Sequence, residues 1–340
     1  MTPQEAASIE RVLPDIFAVP LRDLGEVDSR LTGIVCPEPE IGKEKIGITE
    51  QFLGNAETYH ARYSNSAHFR RLFEQAFAAA DIQPRPDLAV LDIGTGSGTN
   101  TIVPCLELFT GSRIVATDLS PDLLRLLRGY VVEQQLEDRV ACVCTDAMNN
   151  FFKPASFDVV IGAAILHHLI DPAHALAAAH RALKPNGIAL FFEPFEGLAI
   201  IRVIFDLVLA RAARENFPLQ PAASKLLAAM SLDYATRAGS DKTAPHFRYM
   251  DDKWLFTRDW LERAARQAGF TSLTIVPHAA HATLFRDYVT SLLRLGADLG
   301  PDSLPDWVWE TIDLFDNGFS EDMKRDLLLE GTIVLRSGAA

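Results

Sequence analysis

The chain has 340 residues, of which 48% are hydrophobic and 23% are charged, values typical of a globular protein with a large core. The formal net charge of −13 argues against a nucleic-acid partner, because phosphate binding requires a basic surface. The amino terminus lacks the basic-then-apolar order of a signal peptide and no apolar run reaches membrane-spanning length, so we expect a cytoplasmic protein without stable membrane insertion.

The first half of the chain alternates helical and strand patterns. Residues 1–56 mix short apolar pieces with proline, glycine and acidic residues, and we predict an irregular amino-terminal arm there. The alternation that follows predicts right-handed crossovers and a parallel sheet covered on both faces. Its segments are helical residues 57–80, strands 88–94, 113–119, 140–146 and 157–164, helix 171–184 and strand 187–195.

The second half interrupts this pattern with helical segments. Residues 196–255 include an apolar stretch at 199–212, which we interpret as a buried cap helix, with a dimer contact as the alternative. The α/β pattern resumes over residues 256–278, where Thr257 is a good helix N-cap, Gly269 ends that helix and a strand follows. Residues 279–331 are again helical, and residues 332–340 supply a final strand.

A glycine-rich turn follows the first strand of the alternating region. Residues 90–98 read VLDIGTGSG, an apolar run that ends in three glycines. Glycine permits the positive φ angles of such a turn and removes the Cβ atoms that would block a ligand. Asp118 comes twenty positions after Gly98, at the end of the next strand, where a ribose diol would be held. These features predict a site for an adenosyl cofactor.

The glycine turn and its neighbouring acids resemble those of class I S-adenosylmethionine-dependent methyltransferases, over residues 57–195 and again over 257–278. Thr99 stands where a dinucleotide-binding fingerprint would have a third glycine, which favours this family over dehydrogenases. The resemblance implies S-adenosylmethionine as the cofactor. It also implies that Asp92 holds the methionine ammonium, that Asp118 takes the ribose hydroxyls, and that Asp146 accepts from the adenine amino group. The further cofactor contacts that it implies are Gly94, Thr95, Gly96, Ser97, Gly98, Leu119, Ala147 and Met148.

The resemblance also implies a fold. We expect a Rossmann-like, seven-stranded, mostly parallel sheet with helices on both faces, whose last strand enters antiparallel. The two helical insertions and the amino-terminal arm should form a lid over the carboxyl ends of the strands. In related enzymes the helix before the sheet closes over the cofactor, so Tyr63 is a further candidate contact and Tyr59 an alternative. Both tyrosines could equally be core residues of an amphipathic helix.

Two histidines are candidates for proton transfer. His167 and His168 follow the fourth strand of the alternating region, beneath the expected position of the reacting methyl group. A hydroxyl or ammonium acceptor requires a general base, and histidine is the commonest one. We prefer His167, although such histidines also cap strand ends without a catalytic role. Glu193, at the end of the fifth strand, could face the acceptor or serve as a cap.

Other polar clusters give weaker signals. The segment HFRYMDDKWLF places His246, Tyr249 and residues 251–254 in a loop of the kind that contacts substrates or acts as a hinge. His278 and His281 lack a third ligand, so we predict no metal site. Cys36, Cys105, Cys142 and Cys144 form no C-x-x-C pair, which indicates reduced, buried thiols.

These observations together predict a methyltransferase. The expected reaction is methyl transfer to a hydroxyl or amine of a small-molecule or glycan-type acceptor. Two alternatives stay open at this point: an enzyme that uses the bound sulfonium for a non-methylating reaction, and a non-catalytic binding or scaffold protein that retains the fold. A homodimer is also left open.

Overall fold

The computed structural model describes residues 12, 15–42, 55–149 and 151–339. A mixed β-sheet forms its centre and contains nine strands among these residues. The strands are β1 (Leu21–Asp23), β2 (Ile34–Pro37), β3 (Ala89–Ile93), β4 (Arg113–Asp118), β5 (Val140–Cys144), β6 (Phe157–Ala163), β7 (Leu183–Pro194), β8 (Ser272–Pro277) and β9 (Glu330–Arg336).

The spatial order of the strands is β1-β2-β5-β4-β3-β6-β7-β9-β8. Strands β5, β4, β3, β6 and β7 are parallel, with Leu91 opposite both Val115 and Val160. Strand β9 lies between β7 and β8 and is antiparallel to both, so the predicted antiparallel final strand is confirmed. The apolar runs of the central strands are buried on both faces, as the sequence predicted: Val90 belongs to one core cluster and Leu91 to the other.

The prediction of seven strands was wrong. Two additional strands, β1 and β2, come from the arm that the sequence indicated to be irregular, and β2 extends the sheet by pairing parallel with β5. Both strands are short, with three and four residues; β1 lies at the edge of the sheet, and β2, which lies between β1 and β5, ends in Pro37. Runs this short, bounded by proline, give a weak strand signal in the sequence. The remainder of the predicted arm, residues 1–11, 13–14 and 43–54, lies outside the described residues.

In the described part of the chain, six α-helices belong to the core and five more form the insertions. Thr257 accepts a hydrogen bond from the amide of Trp260, and Gly269 ends the same helix with φ of +100°, both as predicted. The helices are α1 (Ala56–Tyr63), α2 (Ser66–Ala79), α3 (Ile102–Leu108), α4 (Pro121–Glu133), α5 (Pro172–Ala182), α6 (Leu198–Glu215), α7 (Pro221–Arg237), α8 (Arg258–Ala268), α9 (Leu284–Ala297), α10 (Asp306–Gly318) and α11 (Glu321–Leu327).

The two helical insertions share one hydrophobic core. Helices α6 and α7 from the first insertion pack with α9 and α10 from the second, around buried residues such as Phe205 and Phe285. We call these four helices the cap. The apolar segment 199–212 lies within α6 and buries one face in the cap core, whereas Val203 and Leu207 on its other face are exposed. Among the described residues, no helix is long and apolar enough to cross a membrane.

Candidate functional site

A cavity of about 1200 Å³ opens where β3, β4, β5 and β6 end. Its glycine-loop end is lined by the loop after β3 and by the residues that follow β4 and β5. Its cap end is lined by residues 168–173 after β6, by Trp260 of α8 and by the cap loop, residues 238–254, which follows α7. The residues at the glycine-loop end include Gly94, Gly96, Asp118, Leu119, Thr145, Asp146, Ala147 and Met148, and those at the cap end include Leu169, Ile170, Lys242, Arg248, Tyr249, Lys253, Trp254 and Trp260.

Three glycines shape the loop after β3 for different reasons. Gly94, Gly96 and Gly98 all have positive φ angles, of +70°, +56° and +77°. A Cβ atom on Gly94 would lie 2.7 Å from Ile165 Cδ1, and one on Gly98 would lie 2.5 Å from Leu127 Cδ1. No described atom lies within 4 Å of the position that a Cβ on Gly96 would take. Packing therefore requires two of the glycines, whereas Gly96 keeps open a space beside the cavity.

Asp118 connects this loop to the end of β4. Its Oδ2 accepts a hydrogen bond of 2.8 Å from the amide of Gly96, and its Oδ1 accepts one of 2.7 Å from the amide of Ser120. These two bonds fix the orientation of the carboxylate. The side chain lines the cavity where the sequence predicted a ribose acceptor.

Asp146 is held by a residue that sequence reasoning missed. Its Oδ1 accepts from the amide of Met148 at 2.8 Å, which forms a tight turn after β5. The backbone amide of Asp146 donates to the carboxylate of Glu40 at 3.0 Å. The side-chain amide of Asn149 donates to the same carboxylate at 2.5 Å. Glu40 belongs to the amino-terminal arm and is separated from Asp146 by 106 positions. No local motif predicts a contact at that distance in sequence.

Asp92 lies beneath the glycine loop and is completely buried. Burial raises the pKa of its carboxyl to about 7, although the hydroxyl of Thr101, which donates to Asp92 Oδ2, opposes the rise. The other oxygen, Oδ1, has no hydrogen-bond donor among the described residues. A buried acceptor without a donor is costly, so the site favours a positively charged or donating group beside Asp92.

Helix α1 is tied to the glycine loop through two residues without an obvious sequence signal. His60 Nδ1 lies 2.7 Å from Ser97 Oγ, and the side-chain amide of Asn100 donates to the carbonyl of Tyr63 at 3.0 Å. Tyr59 lines the cavity, and its burial raises the pKa of its hydroxyl. The ring of Tyr63 packs on Tyr59 at 4.8 Å between centroids but is not among the cavity-lining side chains. The proposed contact of Tyr63 with a cofactor stays a prediction.

The two candidate histidines occupy different environments. His167 is buried, and its Nδ1 lies 2.6 Å from Glu193 Oε2. Glu193 also accepts from the amides of Ile165 and Leu166 at 3.1 and 2.7 Å, so it orders the segment after β6 from behind. Burial alone would lower the pKa of His167, but the carboxylates of Glu193 and Asp252 outweigh it and raise that pKa to about 9. His167 is therefore an imidazolium at neutral pH.

His168, in contrast, lines the cavity. Its Nδ1 lies 3.1 Å from Asp252 Oδ1 and 3.1 Å from the carbonyl oxygen of Asp251. Both acceptors belong to the cap loop. They favour the tautomer with hydrogen on Nδ1, in which the basic lone pair is on Nε2.

An alternating series of charges joins the core to the cap. Asp252 Oδ1 lies 3.4 Å from His167 Nε2, and Asp252 Oδ2 lies 3.1 Å from the guanidinium of Arg237, which also pairs with Asp233 at 3.0 Å. Among the described residues, His167, His168 and Asp252 form a group whose ligand atoms lie within 4.8 Å of one another. The imidazolium and guanidinium already balance the Asp252 carboxylate, so we interpret the group as an ion-pair network rather than a metal centre.

The remaining predicted residues are dispersed. Tyr249, Asp251, Lys253 and Trp254 line the cavity, while His246 is exposed elsewhere on the cap loop. His278 contacts Thr332 at 3.1 Å, and His281 lies 3.7 Å from Asp287; both are remote from the cavity lining. The four cysteines are buried, as predicted, and none forms a disulfide within the described residues.

Comparison with known proteins shows what the core of the chain is similar to. Residues 91–191 match a family model described as "Methyltransferase domain". The demethylmenaquinone methyltransferase of Lactiplantibacillus plantarum is 36% identical over 114 residues, which cover 34% of this chain and 48% of that protein. A ubiquinone/menaquinone biosynthesis C-methyltransferase of a Marinomonas species is 27% identical over 215 residues, which cover 61% of this chain and 82% of that protein.

The chain spans about half the length of the first of these relatives. The solved structure of phosphoethanolamine N-methyltransferase 2 from Haemonchus contortus aligns with a TM-score of 0.49 and 14% identity, over 84% of this chain and 58% of that one.

The lining of the cavity fits S-adenosylmethionine, the cofactor that the sequence resemblance implies. The open space beside Gly96 suits the close approach of a ligand, and the oriented carboxylate of Asp118 suits a diol. Asp92 is not among the cavity-lining residues, so a contact between its donor-free Oδ1 and an ammonium group stays a prediction. The buried hydroxyl oxygen of Thr145, beside Asp146, also lacks a partner among the described residues and lines the same cavity.

Proposed function

We propose that this chain, whose residues 91–191 match a methyltransferase domain, transfers the methyl group of S-adenosylmethionine to a hydroxyl or amine of a small, largely apolar acceptor. The observation that carries the proposal is the size and division of the cavity. Its volume of about 1200 Å³ exceeds the roughly 300–1,000 Å³ of sites for a single small ligand. The glycine-loop end accommodates the cofactor, and the cap end leaves room for a second molecule.

The cofactor supplies an activated methyl group on a sulfonium, so the protein has chiefly to bind and align. Asp118 and Asp146 would hold the nucleoside part, and the loop around Gly96 would admit the methionine part. Fixed alignment of two reactants can lower a barrier by roughly 7–11 kcal/mol. The burial of Asp92 and the packing of Gly94 and Gly98 make this end rigid enough for that purpose.

His168 is the proposed general base. It lines the cavity, and its Nδ1 is held by Asp252, so Nε2 can accept a proton from the acceptor. The sequence favoured His167 for this role. The raised pKa of His167 and its pairing with Glu193 instead suit a positioning role, in which it fixes Asp252 and thereby His168.

The acceptor is inferred from the lining of the cap end. Leu169, Ile170, Trp254 and Trp260 present aliphatic and aromatic surface to the cavity. Such a lining suits an aromatic ring better than a glycan, whose hydroxyl groups would lose hydrogen bonds to water there. The relatives named for demethylmenaquinone and for ubiquinone and menaquinone biosynthesis support an aromatic or quinone-like acceptor.

Turnover of the cofactor tests the proposal. The purified chain is incubated with S-adenosylmethionine and a panel of phenols, hydroquinones and anilines, and S-adenosylhomocysteine is quantified by mass spectrometry. We expect it to accumulate with at least one member of the panel. His168→Ala should then lower kcat by about 10²–10⁴-fold with little change in cofactor affinity. His174→Ala, which removes an exposed histidine of α5 away from the cavity lining, is the matched control.

Two results would contradict this function. Cofactor binding with conversion of an acceptor, but without S-adenosylhomocysteine, would indicate the non-methylating reaction. Absence of S-adenosylmethionine binding at millimolar concentration, measured by calorimetry, would indicate a scaffold protein.

A further inference from the structure

We propose that the cap end of the cavity binds an anionic group of the acceptor, a carboxylate or a phosphate, through Lys242 and Arg248 of the cap loop. This inference rests on the proposed function and names the chemical class of its acceptor: an aromatic or otherwise apolar body that carries one negatively charged group. The assignment follows from the hydrogen bonds, burial and charge balance of the three cationic side chains that line the cap end.

Lys242 is a buried ammonium with unused hydrogen-bonding capacity. Its residue is only 7% exposed, yet it lines the cavity. Its Nζ donates to the carbonyl oxygens of Arg237 at 2.8 Å and Ala238 at 3.4 Å. An ammonium group has three hydrogens, so one remains for a ligand. The rings of Phe247 and Trp254 lie 4.7 and 5.1 Å from the nitrogen and restrict where it can move.

The charge of Lys242 is not neutralised by a contacting carboxylate. Within the described part of the chain, no Asp or Glu oxygen forms an ion pair with Lys242, Arg248 or Lys253. Asp241 lines the same cavity, and the amide and hydroxyl of Thr243 donate to its carboxylate at 3.0 and 2.7 Å, which orients that charge but does not neutralise it. Burial and the nearby Arg237 lower the pKa of Lys242, and the carboxylates of Glu196 and Asp241, which oppose them, do not outweigh them. A buried cation is costly without a counter-ion, and a bound anion would supply one.

Lys253 has a different role. Its Nζ donates to three carbonyl oxygens, those of His168 at 2.6 Å, Met250 at 2.5 Å and Asp251 at 3.3 Å. All three hydrogens are thus used inside the protein. Lys253 therefore fixes the cap loop against His168, and we do not assign it to the anion subsite.

Arg248 supplies the second contact. It is exposed and lines the cavity on the same loop as Lys242, and its guanidinium offers five donors in a planar fork that matches carboxylate and phosphate oxygens. Beside it, Tyr249 is 74% exposed although it lines the same cavity. The ring centroids of Trp254 and Trp260 lie 5.1 Å apart and give an apolar surface next to these cations. The cap end thus combines aromatic surface with the donors of Lys242 and Arg248, although the carboxylates of Asp171, Asp241 and Asp251 line the same end.

Calorimetry on the protein saturated with S-adenosylhomocysteine tests the subsite without turnover. The probes are 2-naphthoate, 2-naphthyl phosphate and the neutral 2-naphthamide, which share one aromatic body. We expect at least one of the anions to bind tenfold or more tightly than the amide, and higher salt to reduce the difference. The arm with the larger preference identifies carboxylate or phosphate as the recognised group.

Variants distinguish anion binding by Lys242 and Arg248 from a general attraction of anions to positive charge. Arg248→Ala and Lys242→Met should each reduce the anion preference at least fivefold and leave amide binding unchanged. Lys225→Ala removes an exposed positive charge of α7 that does not line the cavity, so this variant should keep the full anion preference. Because Lys242 is buried, its variant is first checked for folding by its thermal transition, and Arg248→Ala decides the question if that variant does not fold.

Equal binding of the anions and the amide, or a preference that survives Arg248→Ala, would overturn the inference. Displacement of S-adenosylhomocysteine by the probes would also overturn it, since they would then occupy the glycine-loop end. These failures are distinct from failure of the proposed function: S-adenosylhomocysteine binding alone tests the cofactor site, and methylation of neutral acceptors would preserve the function without the anion subsite.

Discussion

The two ends of the cavity are built in different ways. At the glycine-loop end, side chains at the ends of β4 and β5 accept from backbone amides of adjacent loops, as Asp118 does from Gly96 and Ser120. At the cap end, the contacts join His168 to Asp251 and Lys253, residues 83 and 85 positions away. The first end depends on strand order and backbone shape, whereas the second depends on charged side chains that meet only after the cap has folded onto the core.

Replacement of Asp118 tests the first end and should have the largest effect. Asp118→Ala leaves the amides of Gly96 and Ser120 without their acceptor and removes the partner for a ribose diol. Hydrogen bonds to charged groups contribute about 1.5–3 kcal/mol each, so S-adenosylhomocysteine affinity should fall by at least about a hundredfold in calorimetry. Glu133→Ala, which removes an exposed acid at the end of α4, should bind normally. Unchanged affinity in Asp118→Ala would show that the ribose is placed wrongly.

The difference between the two ends also explains what the sequence could predict. The glycine turn, Asp118 and Asp146 follow strands whose apolar runs are unmistakable, and parallel strands bring their carboxyl ends to one edge of the sheet. The antiparallel entry of β9 was expected from the family resemblance, and the pairing of β9 with β7 and β8 confirms it. Glu40, by contrast, reaches Asp146 from an arm with no regular pattern.

For the cap end, the sequence predicted which segment lies over the site but not what its individual residues do. The sequence indicated a polar and aromatic loop over the site, but the roles of its residues depend on pairing partners. His167 and His168 are adjacent and chemically identical, and only the positions of Glu193 and Asp252 distinguish a buried imidazolium from a cavity-lining ring. Lys242 and Lys253 are likewise distinguished by the number of carbonyl oxygens around each nitrogen.

The pH dependence of stability tests the charged network of the cap end. The pKa of His167 rises from 6.5 in the unfolded chain to about 9 in the folded protein. Its contribution is therefore complete below pH 6.5 and is lost as the pH rises through 9, because the unfolded chain releases this proton first. The difference corresponds to about 3 kcal/mol. Urea unfolding between pH 6.5 and 9 should record this loss.

Glu193→Gln tests whether His167 causes this loss of stability with rising pH. It removes the carboxylate that contacts His167 Nδ1, so stability should change much less over the same pH range. Breaking a buried ion pair commonly costs about 3–5 kcal/mol, so the variant will also be less stable at neutral pH. Asp252→Asn, at a carboxylate whose side chain is 38% exposed, provides a milder version that should flatten the slope in part. A slope that both variants leave intact would assign the titration to other groups.

Substitution of single glycines gives the smallest effect and the sharpest distinction within the glycine-loop end. Gly96→Ala meets no atom, so its cost is the positive φ angle, about 1–2 kcal/mol, and the chain should fold with weakened S-adenosylhomocysteine binding because the methyl group enters the open space. Gly98→Ala has a similar φ angle but brings its Cβ to 2.5 Å from Leu127 Cδ1, so it should destabilise the fold more. Thermal unfolding and calorimetry on the two variants measure stability and affinity separately. If Gly96→Ala binds as tightly as the unaltered chain, the space beside Gly96 does not receive the cofactor, and the close approach that defines this end of the cavity lies elsewhere along the loop.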